Sequence, residues 1–577
     1  MDWLNQANYA MLNQKGEITH LARHDGERPS VIDLSFANSQ ARIQDTFKEW
    51  SIDPSLAHDS DHNAIKFTID HGLKEVENML GIKYCLNNVD PADRTKCFEQ
   101  ELNKVTQELN ALHETIDPSN EQLDEYASIL SSTIQKAIAT SAKIRTPSAN
   151  AKPWWDPDLT AAAKNVANAR LAHQSFQRLT GEFSLPLQTN VIRCRNFFKH
   201  LCKFKKKAWI TLTLENASSK DIWDFPKWAQ GIRNYPTPPI SRGPNLPKAT
   251  THEEKCEALR RELYQPPPAL DRAFQPDLNT HYDNDLPFHD VTTEEVRDAI
   301  FKNSSNTAPG HSQITYRVLK WAWGSPIGEK HITALIQKCL RKGYHPKSWR
   351  RAIAIALRKP NKPDYSNPRA YRLITLLECL AKVLERIVAK RLTFLAGKLN
   401  LVPPNQFGGR SNSSTDDTIM SFITDIQAAW NHGKVTSALT FDIKGYFDFV
   451  NHDRLLWELR RKHIPLEYVK WTASFLSDRE AAICIDGRCG QMLPVQNGIP
   501  QGSPVSPILA SFYSAELIES FTSPINHPLP DPTTCPSQPT STNIIMYVDD
   551  GKIYVSSKSL ETLYSSNSLT RKSKHGY

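Results

Sequence analysis

Asp549 and Asp550 are adjacent, and they stand between two apolar, β-prone runs, Ile544-Ile545-Met546-Tyr547-Val548 and Ile553-Tyr554-Val555. Runs of this kind joined by a short Asp/Gly stretch predict a hairpin with Asp549-Asp550-Gly551 as its turn and both carboxylates at the tip. Side by side, two carboxylates repel each other and one pKa rises unless a cation relieves them. Hard oxygen donors so arranged suit magnesium. Taken alone, Asp-Asp-Gly is ordinary turn composition. A third acid tips the balance towards a cation site: Asp442 follows a β-prone run, residues 436–440, and so falls at a strand end.

The elements that must position these acids give the pattern a name. Phe441-Asp442-Ile443-Lys444-Gly445-Tyr446-Phe447-Asp448 comes first. Asn497-Gly498-Ile499-Pro500-Gln501-Gly502-Ser503-Pro504-Val505-Ser506-Pro507 follows, a Gly/Pro-punctuated loop leading into an apolar helix over 508–517. Tyr547-Val548-Asp549-Asp550 closes the series. In this order the blocks resemble the three catalytic motifs of reverse transcriptases, in wording closest to non-LTR (LINE-type) retrotransposons. The resemblance implies an RNA-directed DNA polymerase, a nucleotidyltransferase whose catalytic and metal-binding residues are Asp442, Asp549 and Asp550. It implies two Mg2+ per site, with Mn2+ as a substitute, and as partners an RNA template, a DNA primer and deoxynucleoside triphosphates.

It also implies that Phe447 lies beside the sugar and blocks a ribose 2′-hydroxyl, and that Gln501 and Gly502 line the nucleotide pocket. Glycine would permit close backbone approach there. Asp448 is left out, because the family's ligand is the first Asp of its motif. Lys359-Pro360-Asn361-Lys362-Pro363 through Tyr371-Arg372 resembles the family's fingers motif, with Arg372 as triphosphate ligand and Lys359 and Lys362 as weaker candidates. Asn405-Gln406-Phe407-Gly408-Gly409-Arg410-Ser411 resembles the next fingers block, expected along the template strand. Asn306-Thr307-Ala308-Pro309-Gly310-His311-Ser312 resembles the block that opens such domains, behind a helix capped by Thr292 and Glu295.

Upstream, residues 31–36 alternate like a strand, and Ser60-Asp61-His62 precedes another over 63–69. The pattern resembles the C-terminal part of an endonuclease/exonuclease/phosphatase domain. By that resemblance Asp33 lies in the site with the catalytic His62, and Asp61 orients the imidazole. The family's metal-binding Asn and Glu have no counterpart upstream in this sequence, so residues 1–71 read as a remnant without activity. Residues 72–235 read as a helical connector, clearest after the capping box Ser119-Asn120-Glu121-Gln122, where Leu123, Tyr126, Ile129, Leu130, Ile134 and Ile138 share a face. Within it Trp154-Trp155 reads as a packing pair. Arg193 to Trp209 interleaves basic and aromatic residues, which suits either a grip on nucleic acid or an amphipathic helix with a solvated basic face. Proline clusters between 236 and 268 mark residues 236–290 as a linker, and 291–577 as the polymerase domain.

A chain of 577 residues and 65.4 kDa is too long for one ordinary domain. Its net charge of +8 fits a polyanion partner without requiring one. The sequence shows neither a leader nor an apolar run long enough to span a membrane, so the expectation is an intracellular protein with no membrane partner; nuclear residence is implied by the resemblance alone. The ten cysteines lack zinc spacing and read as reduced thiols, Cys484 and Cys489 packing beside a hairpin.

The expected fold class is α+β: an α/β-sandwich endonuclease fragment, a helical connector, then right-hand polymerase fingers and palm, truncated after the third motif and without a thumb. An RNA-dependent RNA polymerase is disfavoured, because Tyr-Val rather than Gly precedes the dyad and an endonuclease remnant lies upstream. The competing reading is a catalytically silent retrotransposon relic that at most binds nucleic acid. For the isolated chain, weak nucleic-acid binding without sustained polymerisation is expected.

Overall fold

The structure is a computed structural model that describes residues 9–13, 16–22, 28–38, 47–57, 60–69, 84–86, 89–144, 152, 154–180, 184–215, 237–244, 246–266, 275–410, 413–522 and 542–558. It divides into two units, Met1–Glu77 with Thr146–Tyr235, and Asn78–Arg145 with Pro236–Tyr577.

In the first unit β1 (Tyr9–Met11) pairs antiparallel with β2 (Phe36–Asn38), and β3 (Phe47–Asp53) with β4 (Ala64–Ile69). The strand expected over 31–36 starts only at Phe36. The N–H groups of Ile32 and Asp33 donate instead to Thr19 Oγ1, so a side chain takes the donors a ladder would have used. Two long helices, Pro157–Thr180 and Leu185–Glu215, pack along each other. Lys205 joins them through Asp156 and Asp158, and the Trp155 ring meets Phe198 edge-on at 6.0 Å.

The second unit opens with α1 (Pro91–Lys104), α2 (Thr106–Glu114) and α3 (Asn120–Ser141). Ser119 and Gln122 form the expected capping box, which satisfies donors that the first turn of α3 leaves open. The apolar face of α3 does not serve a free-standing connector. Leu123, Tyr126, Leu130 and Ile134 are buried in one core with the helices that follow residue 291. Residues 72–235, read above as one connector, are thus divided: 91–141 share the core of the second unit, while 157–215 belong to the first. The 3.6-residue periodicity reveals a buried face but not its partner.

Residues 236–290, expected as a linker, carry α4 (His252–Leu263), again with a capping box, from Thr251 and Glu254. Ile240, Ala249, Ala258 and Leu259 are buried there against the larger sheet. The core shared with α1 to α3 continues with α5 (Thr293–Phe301), α6 (Tyr316–Trp323) and α7 (Pro326–Lys342). Next come β5 (Arg351–Arg358), β6 (Tyr371–Leu376), α8 (Cys379–Lys398), α9 (Thr415–Asn431) and β7 (Val435–Asp442). After α10 (His452–Arg461) and α11 (Leu466–Leu476) lie β8 (Arg479–Ile485) and β9 (Arg488–Val495). The expected helix over 508–517 is two helices, α12 (Ser506–Tyr513) and α13 (Ala515–Thr522), parted at Ser514. The described chain ends with β10 (Thr542–Tyr547) and β11 (Asp550–Ser557); the tail beyond residue 558 lies outside the described residues.

These strands form two sheets of α+β character. One runs β6-β5-β8-β9, with β5 and β8 parallel and the other neighbours antiparallel. The other is antiparallel, β10-β11-β7, and rests on Ile518 and Phe521 of α13. Cys484 and Cys489 face each other across the β8–β9 register and are joined as a disulfide, which corrects the reading of ten reduced thiols. Among the described residues, no helix is long and apolar enough to cross a membrane.

Candidate active site

The three aspartates meet on the small sheet. Asp442 ends β7, Asp550 begins β11, and the register pairs them directly. Asp549 joins them through the backbone: its carbonyl accepts from the N–H of Ile443, the residue after Asp442, at 3.1 Å. Tyr547 pairs with Asp550, so the turn is Val548-Asp549 rather than the expected Asp549-Asp550-Gly551. Gly551 is already in the strand, where it faces Phe441. A Cβ at Gly551 would lie 2.2 Å from the Phe441 ring, so the glycine makes room for an aromatic rather than for a turn.

Burial is the main cause that raises the Asp549 carboxyl above its ordinary range, and the charges of Asp442 and Asp550 add to it. The backbone N–H of Asp549 and the cation of Arg372 act in the opposite direction. Asp549, raised in this way and placed beside two further acids, offers the hard oxygen donors that divalent cations take.

Arg372 arrives from the larger sheet, exposed on β6. The loop of the second motif is bound to that strand: the N–H of Thr375 donates to the carbonyl of Gln501 at 2.6 Å. Gly502 has φ +124°, and a Cβ there would stand 2.5 Å from the Thr375 carbonyl oxygen. Glycine is therefore required by protein backbone, not only by a ligand. The Gln501 amide donates to Asp448 at 2.9 Å. Burial raises the Asp448 carboxyl, opposed by Gln501 and by the charge of Lys359. Phe447 is half-buried against the main core, and its carbonyl accepts from Ile499 N–H at 2.8 Å, tying the first motif to the second.

Sequence reasoning missed several supports. Glu385 of α8 is fully buried and takes a hydrogen bond from Ser503; burial pushes its carboxyl up to about 7. Glu378 similarly holds Ser312 of the opening block. Residues 405–408, expected along a template, lie against the β10–β11 hairpin: Phe407 N–H donates to Met546 O, and Met546 N–H to Asn405 O, both at 2.9 Å. The only sequence signal for this was the glycine pair, which marks close backbone approach.

In the first unit His62 Nδ1 lies 2.6 Å from Asp33, while Asp61 faces His20 at 3.4 Å. The sequence reading gave the orienting role to Asp61. In the structure both acids flank the imidazole: Asp33 bonds it directly, and His20, Asp61 and His62 each bring one ligand atom within 4.8 Å of the others, a group that could hold a metal ion.

The strand-borne carboxylates thus lie in a mixed α+β domain, with the charge of Arg372 acting on Asp549. Residues 357–573 match the family model described as reverse transcriptase (RNA-dependent DNA polymerase). The chain is 27% identical over 323 residues to the RNA-directed DNA polymerase from mobile element jockey of Drosophila melanogaster, covering 54% of this chain and 35% of that protein. It is 31% identical over 241 residues to the probable RNA-directed DNA polymerase from transposon BS of the same species, covering 42% of this chain and 26% of the relative. A longer match, 26% over 530 residues, joins 88% of this chain to 47% of the putative 115 kDa protein in type-1 retrotransposable element R1DM, also of Drosophila melanogaster. The chain thus spans half or less of the length of these relatives. Over residues 357–573 the chain is similar to reverse transcriptases, and these relatives come from mobile and retrotransposable elements.

Proposed function

We propose that this chain performs RNA-templated DNA synthesis, with the β10-β11-β7 sheet as polymerase palm and the β6-β5-β8-β9 sheet as fingers. The observation that carries the reading is the pairing of Asp442 with Asp550, closed by Asp549 through Ile443. Asp442, Asp549 and Asp550 would hold Mg2+, or Mn2+ in its place. Bound there, the cations would supply Lewis-acid activation of a primer 3′-hydroxyl and charge neutralisation for a departing pyrophosphate.

The chain's own residues do the rest. Arg372 meets the triphosphate as a fixed planar cation. Gln501, oriented by Asp448, and Gly502 border the nucleotide, and Phe447 closes the space a 2′-hydroxyl would need. Phe447→Ala is expected to raise ribonucleotide incorporation relative to deoxynucleotide; an unchanged ratio refutes the gate. The basic helix Leu185–Glu215, with Phe197 and Phe204 exposed, supports nucleic-acid contact whether or not catalysis occurs.

The test is templated addition of one deoxynucleotide to a primer annealed to RNA, in Mg2+ and in Mn2+. Addition that Asp549→Asn abolishes supports the reading. RNA binding without addition in either cation favours the silent relic.

A further inference from the structure

Val548 has φ +58°, a left-handed conformation that a β-branched residue adopts only under constraint. It occupies the turn that delivers Asp549, so whatever holds it also sets where that carboxylate lies. The constraint is Gln406, a fully buried side chain from a different block of the sequence. Gln406 Oε1 accepts from Val548 N–H at 3.1 Å, and Gln406 Nε2 donates to the Val548 carbonyl at 3.5 Å. One side-chain amide thus takes both backbone groups of one strained residue.

The remaining capacity of that amide is also used. Oε1 accepts from Gly408 N–H at 3.1 Å, and Nε2 donates to Ser514 Oγ at 3.3 Å. An amide has two donors and two acceptor sites, so all four are committed. Ser514 Oγ also meets the Tyr446 hydroxyl at 2.9 Å, and Tyr446 belongs to the motif that begins with Asp442. Behind Val548 the chain at Gly408 approaches so closely that a Cβ there would lie 2.3 Å from Val548 N. Gln406 therefore links the hairpin turn, the junction of α12 and α13, and the segment after Asp442.

We infer that Gln406 is a positioning residue for cation binding: it clamps Val548 in the left-handed conformation and so sets Asp549 beside Asp442 and Asp550. This rests on the proposed cation site but adds a residue outside it. Without the clamp, Val548 relaxes towards extended backbone and Asp549 swings away from its partners. Misplacement on the ångström scale costs a reaction about 100-fold.

The experiment uses the full chain, with wild type, Gln406→Leu, Gln406→Leu/Val548→Gly and Asp549→Asn compared. Free Mn2+ is read by electron paramagnetic resonance during titration, and hydrogen exchange is followed at the Val548 amide. Gln406→Leu should weaken the Asp549-dependent Mn2+ site about tenfold and speed exchange at Val548 about 100-fold, without lowering the melting temperature of the core in proportion. Val548→Gly in that background should recover most of the Mn2+ affinity, because glycine enters the left-handed region freely. A merely structural glutamine would give no such rescue. Where nucleotide addition is measured, Gln406→Leu should lower kcat about 100-fold with KM for the nucleotide unchanged.

Unchanged Mn2+ affinity in Gln406→Leu, or a loss that Val548→Gly does not recover, overturns the clamp. Absence of any Asp549-dependent Mn2+ site in wild type overturns the proposed function instead. In that case exchange at Val548 still decides the clamp: slow exchange in Gln406→Leu refutes it.

Discussion

The two units differ in how completely they bury what they present. In the second, Trp471 lies fully buried and stacks on Phe475 at 5.1 Å, within a core that runs from α1 to α12. In the first, Ile32 is 54% exposed and Leu34 50%, both ahead of β2, and Ile69 is 52% exposed at the end of β4 in a two-stranded sheet. Yet both place acids beside partners: Asp33 against His62, and Asp442 against Asp550. Local polar geometry can form beside largely exposed apolar side chains. Holding a strained turn such as Val548 against relaxation needs the surrounding structure to over-determine it.

That difference can be broken by substitution. Trp471→Ala should cost the second unit about 3–5 kcal/mol through lost packing and the cavity left behind, measured by denaturant unfolding. Ile32→Ser at the other end of the comparison should change stability by less than about 0.5 kcal/mol. A large loss from Ile32→Ser would mean that Ile32 is part of a cooperative core.

A smaller effect comes from pH. His345 is enclosed by Trp349, Trp471 and Phe475, and burial lowers its pKa to about 3, with the charge of Arg350 adding to it. Above its ordinary value of 6.5 the ring is neutral in both folded and unfolded chains. As pH falls below 6.5 the unfolded chain gains a proton that the folded one resists, so stability declines towards pH 3. At pH 5 the loss is on the order of 2 kcal/mol. Unfolding of the second unit at pH 7 and pH 5 measures it, and His345→Leu should flatten that slope. Smaller still, Ser119→Ala should cost about 1 kcal/mol, because the first turn of α3 loses its cap.

What the sequence disclosed follows from how far each signal reaches. Thr292 with Glu295 and Ser119 with Gln122 are local signals, and both capping boxes form as read. The strand leading to Asp442 and the hairpin around the dyad were also legible, because period-2 runs and turn residues act over a few positions. The turn itself was displaced by one residue: Gly551 looked like a turn glycine, but its reason is the Phe441 ring across the ladder. Gln406 and Val548 are 142 positions apart, and no local pattern couples an amide to a distant φ. The 236–290 segment misled for a similar reason. Prolines mark breaks in helix or strand, whereas Ile240 and Leu259 show their burial only once the sheet beneath them exists.

The central claim is that Asp442, Asp549 and Asp550 form one cation-dependent centre for nucleotidyl transfer. Templated addition of a single deoxynucleotide to an RNA-annealed primer tests it most directly, with wild type and Asp549→Asn compared at equal melting temperature. The account predicts addition that requires Mg2+ or Mn2+ and falls on the order of a thousandfold in Asp549→Asn, the several kcal/mol a lost charged ligand represents. Addition at near wild-type rate by Asp549→Asn, or addition that persists in chelator, would contradict it.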